Sequence, residues 1–194
     1  MKPIFVLGCP NSGTTVVQEV LNSHKEICVE FELGWIRLWE IARLACFDQA
    51  SFHKQYQEEL TRSVDEVFRQ GFYDRYPKTL KYGGEKYPSL IVRIPWIRAV
   101  LPESRFIICT REREATIASM MKNAPIPKEQ AEQAYDMAKK AGDSQMGEPD
   151  CFYIKLEELR RDKVAVLTKL AKWLGVENTF DASLVKAESH IVLL

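Results

Sequence analysis

The run Ile4-Phe5-Val6-Leu7 leads straight into Gly8-Cys9-Pro10-Asn11-Ser12-Gly13-Thr14-Thr15, and few folds can begin this way. Four consecutive apolar residues make a strand buried on both faces, as in a parallel sheet. Beyond Thr14, the residues Val16, Val17, Val20 and Leu21 fall at helical spacing. The first N–H groups of a helix lack intrahelical partners and its dipole favours negative charge, so strand, glycine-bounded turn and helix start form an anion cradle. Gly8 and Gly13 have the separation of a phosphate-binding loop, with Ser12, Thr14 and Thr15 adding hydroxyl donors. Where a nucleoside triphosphatase carries Lys and then Ser or Thr, this chain has Thr14 and Thr15. Without that lysine, transfer of a terminal phosphoryl group from a triphosphate is disfavoured, and another phosphate-bearing donor fits better.

Downstream, strands and helices alternate. Residues 27–32 read as a short strand whose alternation sets Glu30 and Glu32 on one face, opposite Val29 and Phe31. Residues 35–71 read as a helical excursion, first with Ile36, Trp39, Ile41 and Leu44, then with Phe52, Tyr56, Leu60 and Val64 at four-residue steps, and with Gly71 as its stop. That excursion suits a covering helix pair or a lid over a substrate. Gly83-Gly84-Glu85-Lys86-Tyr87-Pro88 reads as a tight polar segment, and residues 95–101 as a short helix opened by proline. Residues 105–110 are the clearest strand after the first, closed by Arg111, and helical spacing over 114–121 carries Ser119. A polar helix over 128–141 ends at Gly142, and a last strand over 152–156 enters one long amphipathic helix ended by Gly175. The pattern predicts an α/β domain around a mainly parallel central sheet, and 194 residues make one full core, so residues 1–194 read as a single domain.

Lys plus Arg and Asp plus Glu both number 27, for a net charge of zero, which argues against broad capture of nucleic acid or of an anionic membrane. Any anion site must be local. Five cysteines, at 9, 28, 46, 109 and 151, show no metal-like spacing and sit mostly in apolar surroundings, so a reduced, cytoplasmic protein is expected. His24, His53 and His190 lack ligand spacing, so no metal is expected, and no apolar run approaches the length of a membrane span.

Ligands of open parallel sheets bind at the carboxyl ends of the strands, where the 8–15 loop, Glu30, Glu32, Lys86 and Arg111 would meet. Four stretches then point to one family. The stretch from Pro3 to Thr15, with His24 and Ile27 beyond it, resembles the 5′-phosphosulfate loop of sulfotransferases that use 3′-phosphoadenosine 5′-phosphosulfate (PAPS). Glu85-Lys86-Tyr87-Pro88 is similar to the lysine-proline motif of their protein-tyrosine and bacterial branch. Arg111 and Ser119, eight residues apart on a strand end and the following helix, resemble the 3′-phosphate motif. Tyr153-Ile154-Lys155-Leu156-Glu157-Glu158-Leu159, leading to Trp173-Leu174-Gly175, is similar to the last strand and helix of the family.

The resemblance implies a three-layer P-loop-type domain and sulfuryl transfer from PAPS to a hydroxyl or amine acceptor, leaving 3′-phosphoadenosine 5′-phosphate (PAP). It implies that Cys9, Asn11, Ser12, Gly13, Thr14 and Thr15 hold the donor's 5′ end and that Arg111 and Ser119 hold its 3′-phosphate. It makes Glu32 the catalytic base, with Glu30 second, and Lys86 the catalytic lysine. The acceptor would be a small molecule, sugar or peptide, with Trp35, Trp39, Tyr82 and Tyr87 available to line its pocket. One residue departs from the family: Asn11 stands where Lys or Arg is common, bringing an amide without charge. Two other functions fit parts of the sequence, a divergent P-loop nucleotide kinase and a catalytically weak nucleotide-binding module.

Overall fold

The computed structural model describes residues 1–47 and 54–186. Five parallel strands form one sheet: β1 (Lys2–Gly8), β2 (Ile27–Phe31), β3 (Tyr82–Lys86), β4 (Arg105–Thr110) and β5 (Cys151–Lys155), in the spatial order β2-β3-β1-β4-β5. The helices are α1 (Thr14–Asn22), α2 (Trp35–Phe47), α3 (Lys54–Asp74), α4 (Ile94–Val100), α5 (Arg113–Asn123), α6 (Lys128–Asp143), α7 (Leu156–Arg161) and α8 (Lys163–Leu174). Short 3-10 helices lie at Pro88–Arg93 and Ala182–Leu184.

Strand alternation divides the core into two layers. On one face Phe5 and Leu7 of β1 meet Phe106 and Ile108 of β4 beneath Ile36 and Trp39 of α2, Phe72 of α3 and Ile94 and Ile97 of α4. On the other face Ile4 and Val6 pack with Val17 and Leu21 of α1 and Leu167 and Leu170 of α8. Burial at 0% exposure from Ile4 to Leu7 is what a doubly covered central strand requires. The result is three layers with β1 at the centre and the loop after it at the sheet's carboxyl edge.

Four local expectations are corrected. The polar segment at Gly83 and Gly84 is strand β3, because the strands approach so closely that a Cβ on Gly84 would lie 1.7 Å from the Ile4 carbonyl oxygen. Gly71 does not stop α3, which runs on to Asp74; it lets the helix pass against the Trp35 ring, 3.0 Å from where a Cβ would sit. Gly142 lies within α6 rather than capping it. The long last helix breaks at Asp162, whose carboxylate accepts from Ala165 N and starts α8 anew. The 35–71 excursion is an α2–α3 pair on the sheet. Ile36 and Trp39 are core there, whereas Ile41, Leu44 and Leu60 face outward. Phe52 and His53 lie outside the described residues, as does His190.

Candidate active site

The sequence between β1 and α1 folds as a tight loop because three of its residues tolerate left-handed backbone. Asn11 has φ of 66° and Gly13 of 95°, and a Cβ on Gly8 would meet the Cys109 carbonyl oxygen at 2.4 Å. Gly13 sits at the N-cap of α1 with no side-chain cap, so the helix's first N–H groups stay available. Ser12 N donates to Cys9 O at 3.1 Å, while the Ser12 hydroxyl is buried with no partner. Thr14 is buried and Thr15 exposed. Cys9 is buried with its sulfur 3.9 Å from Met120 Sδ, and burial pushes its thiol pKa up to about 12, so only its backbone is free for chemistry.

Asn11 points away from the role its position suggests. Its side-chain oxygen accepts from Asn123 Nδ2 at 2.8 Å, and Arg111 Nη1 donates to its carbonyl oxygen at 3.2 Å. Asn123 Nδ2 also reaches Ser119 Oγ at 3.5 Å. The loop tip, Arg111 at the end of β4 and Ser119 on α5 therefore form one cluster. Arg111 pairs with neither acidic neighbour: Glu112 bonds Lys155 at 3.0 Å, and Glu114 lies 4.0 Å from Arg113. Arg111 Nε is buried and has no partner. An unpartnered guanidinium N–H beside an unpartnered serine hydroxyl and an uncapped helix start is the donor set of an anion site, since buried polar groups are otherwise nearly always paired.

The two glutamates do not share a face. Strand β2 ends at Phe31, and Glu32 adopts φ of 41°, which turns it out of the alternation. Glu30 lies on the α3 side, where Arg75 Nε and Nη2 and the Tyr76 hydroxyl all donate to it. Burial raises the Glu30 pKa, but bonds to Arg75 and Tyr76 outweigh it and hold the carboxyl below its ordinary value. Glu32 instead accepts from Lys86 Nζ at 2.6 Å. The lysine side chain is 2% exposed, with its ammonium 3.5 Å from the centre of the Phe31 ring, whereas the Glu32 side chain is 38% exposed and open to a reactant.

One functional-looking residue was missed. Glu85 precedes Lys86 on β3 and points to the opposite face, where its carboxylate accepts from Ile36 N at 3.2 Å at the start of α2. Burial raises its pKa, opposed by bonds from the backbone at 34–36, and its second oxygen has no partner. Adjacent residues of β3 thus hold both ends of the turn from Glu32 to Ile36, in which Gly34 is also left-handed. The signal was in the sequence, a glutamate directly beside Lys86 on a buried strand, but it was hidden while Gly83-Gly84 read as a turn.

Two cavities flank the loop. A cavity of about 460 Å³ at the ends of β4 and β5 is lined by Ser12, Arg111, Tyr135 and Tyr153 among others, and a cavity of about 490 Å³ lies between Gly8 and Pro10, α2, the 3-10 helix at Pro88–Arg93 and α6. Ala138 borders both. The four aromatic residues expected around an acceptor line neither: Trp39 donates to Asp65, the Tyr82 hydroxyl to Leu174 O, and Trp35 and Tyr87 pack on the core. Among the described residues, no group of three His, Cys, Asp or Glu side chains is placed to hold a metal, and no helix is long and apolar enough to cross a membrane.

An open parallel sheet with an uncapped, lysine-free glycine loop at its carboxyl edge defines a P-loop-type α/β protein. The chain belongs to the Sulfotransferase family, whose model matches residues 3–181. It is therefore an enzyme of sulfuryl transfer. Its fold is similar to that of the sulfotransferase domain of the Synechococcus PCC 7002 olefin synthase, with a TM-score of 0.67 at 21% identity over 94% of this chain and 76% of that one. The sulfotransferase domain from the curacin biosynthetic pathway matches with a TM-score of 0.65 at 18% identity, over 94% of this chain and 76% of that one. A mouse sulfotransferase complexed with PAP matches with a TM-score of 0.56 at 15% identity, covering 94% of this chain and 62% of that one. No curated protein sequence matches the chain.

Proposed function

We propose that this sulfotransferase uses PAPS as its donor and a hydroxyl or amine as its acceptor, with Glu32 as the general base and Lys86 as the reacting centre's cation. The observation that carries the donor assignment is the pair of buried, unpartnered donors, Ser12 Oγ and Arg111 Nε, from two residues that line the same cavity beside the loop. In this reading the backbone of residues 9–15 with the hydroxyls of Ser12, Thr14 and Thr15 holds the 5′ end of the donor, and Arg111 and Ser119 hold its 3′-phosphate. PAPS supplies an activated sulfuryl group on a phosphate leaving group.

The chain's own residues then have limited work. Sulfuryl transfer, like phosphoryl transfer, needs in-line positioning and stabilisation of oxygen charge more than covalent help. Glu32, on the exposed side of its bond to Lys86, accepts the acceptor's proton, a role worth about 10²–10⁴-fold in rate. Lys86 orients that carboxylate and brings a positive charge to the ends of β2 and β3, one strand from the loop. Glu30, engaged by Arg75 and Tyr76, has no place in the reaction. Asn11 ties the loop tip to Asn123 and Arg111, so in this reading its uncharged side chain shapes the 3′ site.

Titration with PAP in the absence of Mg²⁺ tests the donor assignment. Binding of PAP, with none of ATP and Mg²⁺, supports it; the opposite result assigns the site to a nucleotide kinase. If PAP binds but no acceptor in a screen with radiolabelled PAPS takes up label, the chain is a nucleotide-binding module.

A further inference from the structure

The second cavity carries information about the acceptor, and the inference rests on the sulfotransferase reading above. The floor of this space is formed by Gly8 and Pro10 of the loop, and one wall is the 3-10 helix Pro88–Arg93, which follows Lys86-Tyr87 directly. A group bound there is therefore in contact with the segment that holds the donor's 5′ end and with the chain that carries the lysine. Its volume of about 490 Å³ is that of a site for one small organic molecule.

The lining is unusual for a protein surface. Ile41, Leu44, Val92 and Met137, from α2, the 3-10 helix and α6, are all large apolar residues left more than a third exposed, and all four border this one cavity. Scattered exposed apolar side chains need no explanation, but a cluster around a concave surface does. Of the polar lining residues, Glu40 and Arg93 bond each other at 2.6 Å, which leaves the side chains of Arg37 and Ser89 to pair with a ligand. A sugar would bring more hydroxyls than Arg37 and Ser89 can pair, and each one left unpaired costs about 1–3 kcal/mol in mutational data. A peptide tyrosine would bring backbone groups with the same need.

From this the geometry points to an apolar alcohol as the acceptor: one hydroxyl directed at the loop and a hydrocarbon body lying between α2 and α6. In the transfer the hydroxyl oxygen forms the new S–O bond as the bond from sulfur to the 5′-phosphate oxygen breaks, its proton passes to Glu32, and the products are an alkyl sulfate and PAP.

The test uses a homologous series of 1-alkanols from butanol to octanol, titrated into the PAP-loaded full chain, and the same series into Ile41→Glu, with Met137→Glu as a second variant. Both positions are surface-exposed, so the substitutions leave the core intact. Wild type should bind each longer alcohol about fourfold more tightly per methylene, and both variants should flatten the series and weaken octanol by at least about tenfold. PAP affinity should be unchanged in both. Octanol should take up label from radiolabelled PAPS in wild type. A flat series in wild type, a slope that survives in both variants, or label passing only to a disaccharide or a tyrosine peptide would overturn the alcohol assignment while leaving the enzyme class intact. Failure of wild type to bind PAP would instead overturn the donor reading on which the assignment rests.

Discussion

Arg111→Ala isolates the donor's 3′ contact. In the free protein Arg111 Nη1 makes one long bond of 3.2 Å to Asn11 O, and its buried Nε has no partner at all. A phosphate oxygen at Nε would both satisfy that N–H and add a charge-assisted bond, worth about 1.5–3 kcal/mol, or roughly ten- to hundredfold in affinity. Isothermal titration of PAP and of adenosine 5′-phosphate against wild type and the variant reads this directly. PAP should weaken by roughly ten- to hundredfold and adenosine 5′-phosphate by no more than about threefold. Loss of the Asn11 contact is the competing cause, and Asn123→Ala controls for it, because that change frees the same loop tip while keeping the guanidinium. Equal weakening of both nucleotides by Arg111→Ala would refute the 3′-phosphate role, and equal weakening of PAP by Asn123→Ala would assign the effect to loop geometry.

Three further outcomes are expected. Glu32→Gln should lower single-turnover transfer from radiolabelled PAPS by about 10²–10⁴-fold with PAP affinity retained, and an unchanged rate would remove it as the base. Glu85→Gln should show a pH signature in urea unfolding. The Glu85 pKa is raised in the folded state, so the folded chain binds this proton more readily than the unfolded one, and the resulting stability is complete below the ordinary glutamate value of 4.5 and is lost as pH rises through the raised one. Wild type should therefore gain stability relative to Glu85→Gln as pH falls from 7.5 to about 5; a constant difference would refute the shift. Gly84→Ala should prevent folding, as judged by circular dichroism, since its Cβ would overlap the Ile4 backbone; a folded variant would mean that β1 and β3 can separate without loss.

Much of the architecture was legible because it rests on local pattern. The buried run at Ile4–Leu7, the glycine loop and the strand closed by Arg111 are each written in consecutive residues. Strand β3 was not, because Gly83 and Gly84 are turn residues by composition and become strand residues only where Ile4 and Tyr76 crowd them. The same limit governs the site. Lys86, Glu32, Arg111 and Ser119 were nameable from the family resemblance of their motifs, and the structure brings Lys86 to Glu32 and Ser119 to the Arg111 cluster. That Glu30 belongs to Arg75 and Tyr76, 45 and 46 residues away, depends on how α3 packs, and alternation along β2 carries no trace of it. Period alone also misled for Ile41 and Leu44: their apolar stripe looked like core, and they border a cavity instead.

A crystal structure of the full chain with PAP tests the central claim most directly, because it examines the loop, Arg111 and Ser119 together. The account predicts the 5′-phosphate on the N–H groups of residues 9–15 at the start of α1 and the 3′-phosphate between Arg111 and Ser119, with Arg111 Nε donating to it. PAP bound elsewhere, or bound with its 3′-phosphate away from Arg111, would contradict it.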